Sequence, residues 1–598
     1  MGKLTTLVGL IVLSASLVHG KVYTDLEQLD SAKESYDFIV VGGGVGGSVV
    51  ASRLSENPRY NVLLVEAGPD NEGVTEIAVP GMFFGINRTY TWGHVTTPQV
   101  GLNDRSMPYT QGRVLGGSSS VSEWKAITVL SLVVKTEMKL VDGMMYTRGS
   151  SDDFDLWGKV SGDRSWSWKT LFPYFLRNEK LVPPPGGRNA SGQYDPRYHG
   201  YRGPTTVSLP WGGPTDFDLL ALKNAEQSKE IKFNLEPNSG KPSGLIWVQS
   251  TIGNGERCSA AVGFLGPKAR ERPNLTILLN TQATRVLPSK ESRQLDIRTL
   301  EIASITSGKT TTVTAKKEVI LSAGAFGTPH LLLNSGIGDK KDLEEVKVKA
   351  IHHLPEVGKG LSDHLTFPVG WTANDTIKPV DYAAALEQWQ TNRTGPLSEA
   401  VGHQVMFARI PPSAPLFKEH RDPASGPNAP HIEITLATQG AQVGAYIVLL
   451  TPKSRGSVKI ASNNPLDKPL IDLGFLTHPF DIEAIKEGVR LAKRWYDGPA
   501  YKGYITGFLG PDPDTLPAEE FADQLKAAAG TFWHPVGTAT ISPKGAKHGV
   551  LDPDLKVKGV KGLRVVDGSA IPYVPTAHTQ ASVYVLSERA SDLIKDSW

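Results

Sequence analysis

The sequence is poor in cysteine: Cys258 is the only one among 598 residues. An intrachain disulfide is therefore excluded, and stability must come from burial of a hydrophobic core. The net charge of +2 comes without a basic block or an acidic tail, which argues against a nucleic-acid partner. No group of cysteine and histidine residues has the spacing of a metal site, so we expect no bound metal.

The sequence also lacks long apolar runs. The first apolar stretch, residues 4–18, is too short to cross a bilayer, and no later segment resembles a stop-transfer helix, so we expect no membrane partner. With Lys3 before it and Val18-His19-Gly20 after it, this stretch predicts a signal peptide over residues 1–20. A buried N-terminal helix is the alternative. Sequons for N-glycosylation favour an extracellular, secreted protein. They begin at Asn87, Asn189, Asn274, Asn374 and Asn392.

A strand–turn–helix–strand unit with a glycine-rich turn lies near the start. Residues 36–41 and 62–65 have the β-branched, apolar character of buried parallel strands. Between them, Gly42, Gly44 and Gly47 precede a helical stretch at 48–54. These glycines permit a tight turn, close approach to a pyrophosphate, and packing of helix on strand. Glu66 follows the second strand, where a carboxylate can accept from a ribose hydroxyl. The unit predicts a dinucleotide site, although the glycines alone would also fit a flexible turn.

Three longer segments resemble the glucose–methanol–choline (GMC) oxidoreductase family. Residues 112–120 (GRVLGGSSS) are similar to the first family signature, and residues 324–338 (GAFGTPHLLLNSGIG) are similar to the second. Residues 533–580 resemble the region that carries the family's active site and closes over the flavin. The resemblance extends from about residue 36 to residue 595 and implies FAD as the cofactor.

The resemblance, together with the length of the chain, implies two domains. The expected fold class is α/β, with a doubly wound, Rossmann-like FAD-binding domain and a substrate-binding domain on a mainly antiparallel sheet. Both chain ends build the first domain, over residues 36–345 and 526–598, and residues 346–525 build the second. Strand-like runs at 318–321 and 563–566 and helical runs at 328–334 and 580–595 fit this plan.

Two histidines are the candidate catalytic residues. Alcohol oxidation needs a base near neutral pKa beside the flavin to remove the hydroxyl proton as hydride leaves carbon. His534 and His578 both lie in motifs resembling the family's active site. The resemblance implies that His534 is the base and that His578 orients the substrate oxygen. The His–His pair narrows the match toward fungal aryl-alcohol oxidases and pyranose dehydrogenases. Trp533 is a candidate wall of the substrate pocket, with ordinary core packing as the alternative.

Further positions are candidate FAD contacts because they match the family motifs. The first signature wraps the pyrophosphate and the flavin edge, and Asp567 and Gly568 resemble a pair that holds the pyrophosphate and the flavin ring. Trp92 matches a tryptophan near the cofactor, with a core role as the alternative. Asp363-His364 follow a family-like segment at 357–361 that we interpret as structural. The resulting set is Trp92, Arg113, Gly117, Ser118, Asp567, Gly568, Thr579 and Gln580.

The first signature is interrupted. The family continues from Val121 with Asn or His and then Gly-Met, whereas here Gly143-Met144 follow only after residues 122–142. One hypothesis is a translated intron. The codons for Ser122-Glu123 can contain a GT splice donor and those for Val141-Asp142 an AG acceptor, and removal of the segment between them restores an asparagine codon. Sequencing the mature transcript tests it. The alternative is a genuine surface loop or lid. An asparagine missing beside the flavin would weaken FAD binding or leave the product inactive.

The resemblance implies a specific reaction. We expect oxidation of a primary aromatic or allylic alcohol, with hydride transfer to flavin N5 and reoxidation by O2 to give hydrogen peroxide. Pyranose dehydrogenases carry a flavin-linked histidine where this chain has Val121. We therefore expect noncovalent FAD, which favours the oxidase type. We also expect a monomer. Three alternatives remain open: a quinone-dependent sugar dehydrogenase, a hydroxynitrile-lyase-like enzyme, and an inactive product of the insertion.

Overall fold

The computed structural model describes residues 20–30, 34–121, 143–289, 294–374, 380–399, 402–439 and 441–598. Residues 1–19 of the predicted signal peptide and the insertion at 122–142 lie outside the described residues. No helix in the part that the structure describes is long and apolar enough to cross a membrane.

A parallel sheet forms the cofactor side of the molecule. Its central strand, Tyr36–Val41, is flanked by Val62–Val65 and by the second half of Thr310–Leu321. The first two strands begin and end where the sequence predicts, because their side chains are buried on both faces. This sheet confirms the Rossmann-like α/β prediction. In order, its parallel strands are Lys21–Tyr23, Leu275–Leu278, Val62–Val65, Tyr36–Val41, Thr310–Leu321 and Leu563–Val565.

The last strand of this sheet comes from the C-terminal end of the chain. Leu563–Val565 pairs with Val319, Ile320 and Leu321. The first half of Thr310–Leu321 belongs to an antiparallel meander with Ile297–Ser304 and Thr281–Pro288. Thus segments from both ends of the chain contribute strands to one sheet.

Helices cover the parallel sheet. Val45–Ser55 follows the glycine turn and packs on Thr579–Asp596, where Arg53 is 2.7 Å from the buried carboxylate of Glu588. The first helix starts three residues earlier than the sequence predicts, since the glycines of the turn themselves adopt helical geometry. The α-helices of the described chain are Val45–Ser55, Thr75–Ala78, Ser151–Val160, Trp168–Asn178, Asp216–Gln227, Ala260–Phe264, Pro267–Arg270, Gly324–Asn334, Lys340–Glu345, Tyr382–Asn392, Leu416–Glu419, Pro479–Tyr496, Ala518–Ala528 and Thr579–Asp596.

A second, antiparallel sheet lies on the substrate side, which confirms that part of the predicted fold class. Gly488 of the helix Pro479–Tyr496 fits closely against it, because a Cβ there would lie 2.4 Å from Ile447. Two of its strands lie outside residues 346–525, so the exact domain ranges stay a prediction. The strands are Ile505–Leu509, Leu365–Ala373, Gln442–Leu449, Ile432–Thr435, Gln404–Ala408 and Gly244–Trp247 in order, with Ala437–Gln439 beside the third and Gly530–Thr531 beside the second.

Short strand pairs complete the fold. These strands are His94–Val95 with Pro108–Tyr109, Glu179–Leu181 with Thr205–Val207, Ile252–Gly253 with Glu256–Arg257, Ile337–Gly338 with His352–His353, and the set Lys359–Leu361, Gly456–Lys459 and Leu470–Asp472.

A buried chain of charges supports the segment after the insertion. The Arg148 guanidinium binds the Glu179 carboxylate at 2.5 Å. His199 lies between two carboxylates, with Nδ1 2.9 Å from Glu179 and Nε2 2.8 Å from Glu236. Burial alone would lower the pKa of His199, but its hydrogen bonds to Glu179 and Glu236 outweigh that effect and raise it to about 9. His199 is therefore a cation near neutral pH.

This network predicts a loss of stability in mild alkali. A histidine with a raised folded-state pKa contributes its full stabilisation below the unfolded value of 6.5, and the contribution disappears as the pH rises through about 9. The shift corresponds to about 3 kcal/mol in the free energy of unfolding. Denaturant unfolding at several pH values should show this decline, and His199→Gln should flatten it. Parallel pH curves for the two proteins would contradict the assignment.

Candidate functional site

One cavity gathers the predicted site residues. It has a volume of about 520 Å³ and lies between the glycine turn of the parallel sheet and the histidine-bearing segments near the C-terminus. Of the site residues predicted from the sequence, Gly47 alone does not line it. The predicted residues that do are Gly42, Gly44, Glu66, Trp92, Arg113, Gly117, Ser118, Trp533, His534, Asp567, Gly568, His578, Thr579 and Gln580.

The glycine turn has the geometry of a phosphate cradle. Gly42 has a φ of +94°, a conformation that disfavours residues with a side chain. A Cβ on Gly44 would meet only Gly117, at 3.9 Å, so the backbone is open to the cavity there. A Cβ on Gly47 would lie 1.8 Å from the carbonyl oxygen of Gly42, which explains why this glycine packs inside the turn. Gly44 caps the following helix without a side-chain hydrogen bond, leaving amides free for an anion.

Glu66 holds the turn from the end of the second strand. Its Oε2 accepts from the Gly43 amide at 2.6 Å, and its Oε1 accepts from the Gly68 amide at 2.7 Å. Burial raises its pKa to about 7, although those amides and the charge of Arg113 lower it. Each oxygen keeps a second lone pair, which can accept from a ribose hydroxyl as predicted from the sequence.

Trp92 and Arg113 form one wall. The Arg113 guanidinium lies 6.0 Å from the centre of the Trp92 ring, and its Nη2 donates to the carbonyl oxygen of Thr89. The Trp92 ring also stacks on His94, with ring centres 6.1 Å apart. Both predicted residues line the cavity from the adjacent ends of the strand pair His94–Val95 and Pro108–Tyr109, where the Trp92 amide donates to the carbonyl oxygen of Gln111 at 2.9 Å.

The first signature lies against the glycine turn. Gly117 has a φ of +56°, and a Cβ there would lie 2.8 Å from the Cα of Gly44. Ser118 is exposed to the cavity, and its hydroxyl oxygen accepts from the amide of Gly112 at 3.1 Å. The two glycine segments thus meet backbone to backbone.

Asp567 ties the C-terminal segment to the helix Gly324–Asn334. Its Oδ2 accepts from the Gly324 amide at 2.8 Å and from the Thr328 hydroxyl at 2.6 Å. Burial raises the pKa of this carboxyl, against the hydrogen bonds that it accepts. Gly568 follows on the cavity wall, and Thr579 and Gln580 begin the last helix beside it.

The two candidate catalytic histidines lie side by side. Their ring centres are 4.7 Å apart with the planes at 75°, and both side chains are buried. The Phe532 ring contacts both, at 5.3 Å from His534 and 5.5 Å from His578. The structure therefore brings together two residues that are 44 positions apart in the sequence.

His364 and Asp363 support His534, a contact that our structural interpretation of this segment missed. The Nδ1 atoms of His364 and His534 are 2.9 Å apart. Asp363 Oδ1 accepts from the backbone amides of both His534 and His364, at 2.7 and 2.8 Å. Its Oδ2 accepts from the hydroxyls of Tyr109 and Thr531, at 2.8 and 2.6 Å. Burial raises the pKa of Asp363 to about 6 despite these bonds.

Glu433 supports His578 and was also missed. His578 Nε2 lies 3.1 Å from Oε1 and 3.2 Å from Oε2 of this fully buried residue. Because an ionised carboxylate only accepts, Nε2 must donate. The backbone amide of His578 donates to the Thr147 hydroxyl at 3.0 Å. Thr147 precedes Arg148, so the buried charge network lies directly behind this histidine.

Electrostatics separate the roles of these histidines. Burial holds the pKa of His534 well below its usual value, and the charges of His578 and His364 lower it further. Burial and His578 also lower the pKa of His364, to about 3. Both are therefore neutral at physiological pH. His578 differs in its partner, because its Nε2 contacts the Glu433 carboxylate instead of another imidazole. A neutral imidazole such as His534 is the form that can accept a proton.

Trp533 lies beside the catalytic pair. It is half-buried, has a φ of +57°, and its backbone amide donates to the Thr531 hydroxyl at 2.9 Å. Its side chain lines the cavity and also packs on the core of the substrate-side sheet. The two roles considered from the sequence, pocket wall and core packing, are both compatible with this position.

The cavity fits a flavin dinucleotide. The open backbone at Gly44 and the uncapped helix start suit the pyrophosphate, and Glu66, just beyond the second strand, suits a ribose hydroxyl. The residues that would hold FAD line the same cavity as His534 and His578. Among the described residues, no group of three or more His, Cys, Asp or Glu side chains could hold a metal ion.

Comparison with family models agrees with this geometry. Two models described as GMC oxidoreductase match residues 139–366 and 452–587. A model described as an NAD(P)-binding Rossmann-like domain matches residues 40–85, which contain the glycine turn.

Characterised relatives align along almost the whole chain. A dehydrogenase named eriK from Hericium erinaceus is 37% identical, with 96% of each chain covered. Pyranose dehydrogenase 3 from Leucoagaricus meleagris is 36% identical and covers 99% of this chain and 98% of its own. A Drosophila melanogaster glucose dehydrogenase, named with FAD and quinone, is 31% identical over 94% of this chain.

Solved structures show the same fold. A fungal aryl-alcohol oxidase superposes with a TM-score of 0.81 at 26% identity and covers 95% of this chain and 100% of its own. An FAD-dependent oxidoreductase from Chaetomium thermophilum superposes with a TM-score of 0.83 at 28% identity, covering 94% of this chain and 99% of its own. The chain therefore belongs to the GMC oxidoreductase family and is an FAD-dependent oxidoreductase that acts on CH–OH donors.

Proposed function

We propose that this enzyme oxidises a primary aromatic or allylic alcohol to the aldehyde and transfers the electrons to O2, forming hydrogen peroxide. The observation that carries the proposal is the pair His534 and His578 at one end of the cavity that begins at the glycine turn. FAD held by the glycine turn, Glu66 and Asp567 would supply the two-electron acceptor for the hydride of the alcohol carbon. The protein's task is then to bind the alcohol and remove its proton.

His534 has the environment of the general base. Its Nδ1 contacts His364 Nδ1 at 2.9 Å, so one of the two atoms carries the shared hydrogen. If His534 Nδ1 donates it, the lone pair of His534 Nε2 is free to accept the hydroxyl proton. The lowered pKa of His534 keeps the ring neutral before the reaction, which is the form that a base needs. The His364 nitrogen then stabilises the imidazolium that forms.

His578 has the environment of the group that orients the substrate oxygen. With Nε2 bonded to Glu433, Nδ1 is the ring nitrogen left for the alcohol, and it donates a hydrogen bond when the ring carries both protons. A donor aimed at the alcohol oxygen stabilises the negative charge that develops as the proton leaves. The two histidines would thus hold the oxygen from both sides, one as acceptor and one as donor.

The walls beside the histidines suit a flat, apolar substrate. Phe532, Trp533, Tyr446 and Met145 line the cavity and pack together on the substrate-side sheet. Aromatic and thioether side chains contribute favourable contacts to an aromatic ring. This composition supports an aromatic or allylic alcohol.

A quinone-dependent sugar dehydrogenase is the second candidate. It is favoured by the names of relatives that align along nearly the whole chain, including pyranose dehydrogenases at 36% identity and a glucose dehydrogenase named with quinone.

A lyase on the same scaffold would use the histidines without net redox chemistry. An inactive product of the insertion at 122–142 would purify without bound flavin.

Noncovalent binding of FAD is part of the proposal. Val121 lines the cavity and packs with Ile77, Phe83, Ile86 and Val114, and its side chain has no nucleophilic atom. Acid precipitation of the yellow protein should therefore leave all flavin absorbance in the supernatant. Flavin that stays in the pellet would show a covalent link elsewhere.

We also propose a secreted monomer with its cofactor domain split between the chain ends. The signal-peptide pattern at residues 1–20 and the sequons support secretion. The N-terminal residue of the protein recovered from culture medium tests the first point, and its mass in solution tests the second.

The reaction is tested by anaerobic stopped-flow reduction. An aryl alcohol should bleach the flavin absorbance, and admitted O2 should restore it with one peroxide per turnover. His534→Ala should keep the visible spectrum and lose the reductive phase by on the order of 10²–10⁴-fold. His548→Ala is the matched control, since this histidine does not line the cavity, and it should reduce at the normal rate.

Each other outcome identifies a different error. Reduction by pyranoses with reoxidation only by quinone would favour the dehydrogenase. Turnover of a cyanohydrin without bleaching would favour the lyase. Normal reduction of the His534→Ala variant would remove that residue from the role of base.

The contact with His364 predicts a positioning effect. His364→Leu removes the partner of His534 Nδ1, so His534 loses its preference for the reactive tautomer. In another enzyme with a histidine base, the wrong tautomer lowers kcat by up to about 10⁴-fold. His364→Asn places an amide oxygen close to the lost nitrogen and should recover much of the rate. The readout is the reductive rate constant across pH. Equal rates for wild type and His364→Leu would reduce His364 to a packing residue.

A further inference from the structure

The five sequons differ in what the asparagine carboxamide does in the folded protein. We propose that Asn87, Asn189 and Asn392 carry N-linked glycans and that Asn274 stays unmodified because it is a structural cap. The inference rests on the secretion proposed above, but not on the reaction.

Three of the asparagines are exposed and share one geometry. Asn87, Asn189 and Asn392 are all solvent-exposed. In each, Oδ1 accepts from the backbone amide two residues later, at 2.9 Å, 2.9 Å and 3.1 Å respectively. In the described part of the chain their Nδ2 atoms have no hydrogen-bond acceptor. A glycan on any of these nitrogens would project into solvent and displace no contact.

The sequon hydroxyl also contacts the carboxamide at two of these positions. The Thr89 hydroxyl donates to Asn87 Oδ1 at 2.9 Å, and the Thr394 hydroxyl donates to Asn392 Oδ1 at 2.5 Å. The fold thus keeps the complete sequon together at the surface.

Asn274 is different because its nitrogen is fully used. Nδ2 donates to the carbonyl oxygens of Ser55, Asn57 and Tyr60, at 3.1, 3.1 and 2.8 Å. These carbonyls lie at and just beyond the end of the helix Val45–Ser55, where backbone acceptors lack helical partners. The same asparagine accepts from the Val62 amide through its backbone oxygen, at 2.9 Å. It therefore fixes the connection from the glycine-turn helix to the second strand.

A glycan on Asn274 would conflict with this role. The nitrogen has two hydrogens for three carbonyls, and glycosylation would replace one of them with a sugar in the middle of the cap. Its sequon partner Thr276 lies inside the strand Leu275–Leu278 and is 5% exposed. Native folding and modification of this residue are therefore mutually exclusive.

The chemical step is an ordinary transfer from an activated sugar. The Nδ2 nitrogen attacks the anomeric carbon of a polyprenyl-diphosphate-linked oligosaccharide, and an N–C bond forms as the anomeric C–O bond breaks. The amide loses one proton, and polyprenyl diphosphate is the leaving group. Asn374 is outside the proposal, since Thr376 of its sequon lies beyond the described residues.

Glycan mapping tests the assignment directly. The full chain is produced through a eukaryotic secretory pathway, once with its own leader and once with a host leader, then deglycosylated enzymatically in heavy-oxygen water and analysed as peptides. Heavy aspartate should replace Asn87, Asn189 and Asn392, and Asn274 should remain asparagine. Thr89→Val, Ser191→Ala and Thr394→Val should each remove one glycan, whereas Thr276→Val should remove none.

The possible failures are distinguishable. An unmodified residue among the three exposed sites, or a glycan on Asn274 of the folded protein, would overturn the assignment. A glycan pattern that appears only with the host leader would keep the site assignment and reject the proposed signal peptide. Neither outcome depends on alcohol oxidation.

The cap itself has a second readout. Asn274→Asp removes the Nδ2 donors and should lower the midpoint of thermal unfolding of protein produced without glycosylation. Asn87→Asp is the matched control and should leave the midpoint unchanged. Equal midpoints would show that Asn274 is not a cap.

Discussion

The carboxylate of Asp363 is the interaction on which the site geometry depends. It accepts from the backbone amides of His364 and His534 and from two hydroxyls. One buried carboxylate therefore fixes the base to the start of the strand Leu365–Ala373, and Tyr109 extends the same attachment to the strand Pro108–Tyr109 before the first signature. Removal of this carboxylate would leave two buried amides and two buried hydroxyls without their acceptor.

The local patterns of the cofactor side could be predicted from the sequence because each is short and continuous. The strands Tyr36–Val41 and Val62–Val65 have uninterrupted apolar character, and the glycines between them leave few conformations. The predicted helix started too late because glycine has low helix propensity. In the structure the tight turn and the sheet impose helical geometry on these glycines, so the helix begins at Val45. The antiparallel character of the second sheet came from the family resemblance, while its pairing partners did not. Gly244–Trp247 joins it from far outside the expected range.

The supporting residues of the site could not be predicted in the same way. His364 and His534 are 170 positions apart and meet because Gly530–Thr531 pairs with the strand Leu365–Ala373 in the substrate-side sheet. Glu433 lies in the strand Ile432–Thr435 and belongs to no motif. The one available signal is a glutamate in an otherwise apolar strand, since a fully buried carboxylate needs a cation or a hydrogen-bond donor beside it. Sequence motifs therefore identify the catalytic side chains, whereas the side chains that position them become apparent only from tertiary packing.

The strand Leu563–Val565 has a consequence for how the protein is made. It is added to the sheet beside Thr310–Leu321, and the last helix covers the glycine-turn helix from the other end of the chain. During synthesis the early strands therefore wait, with an uncovered sheet edge, until nearly all of the polypeptide has left the ribosome. Contacts of such large sequence separation form slowly, and exposed edges invite aggregation meanwhile. Protection of this sheet edge in the nascent chain therefore matters until the C-terminal residues arrive.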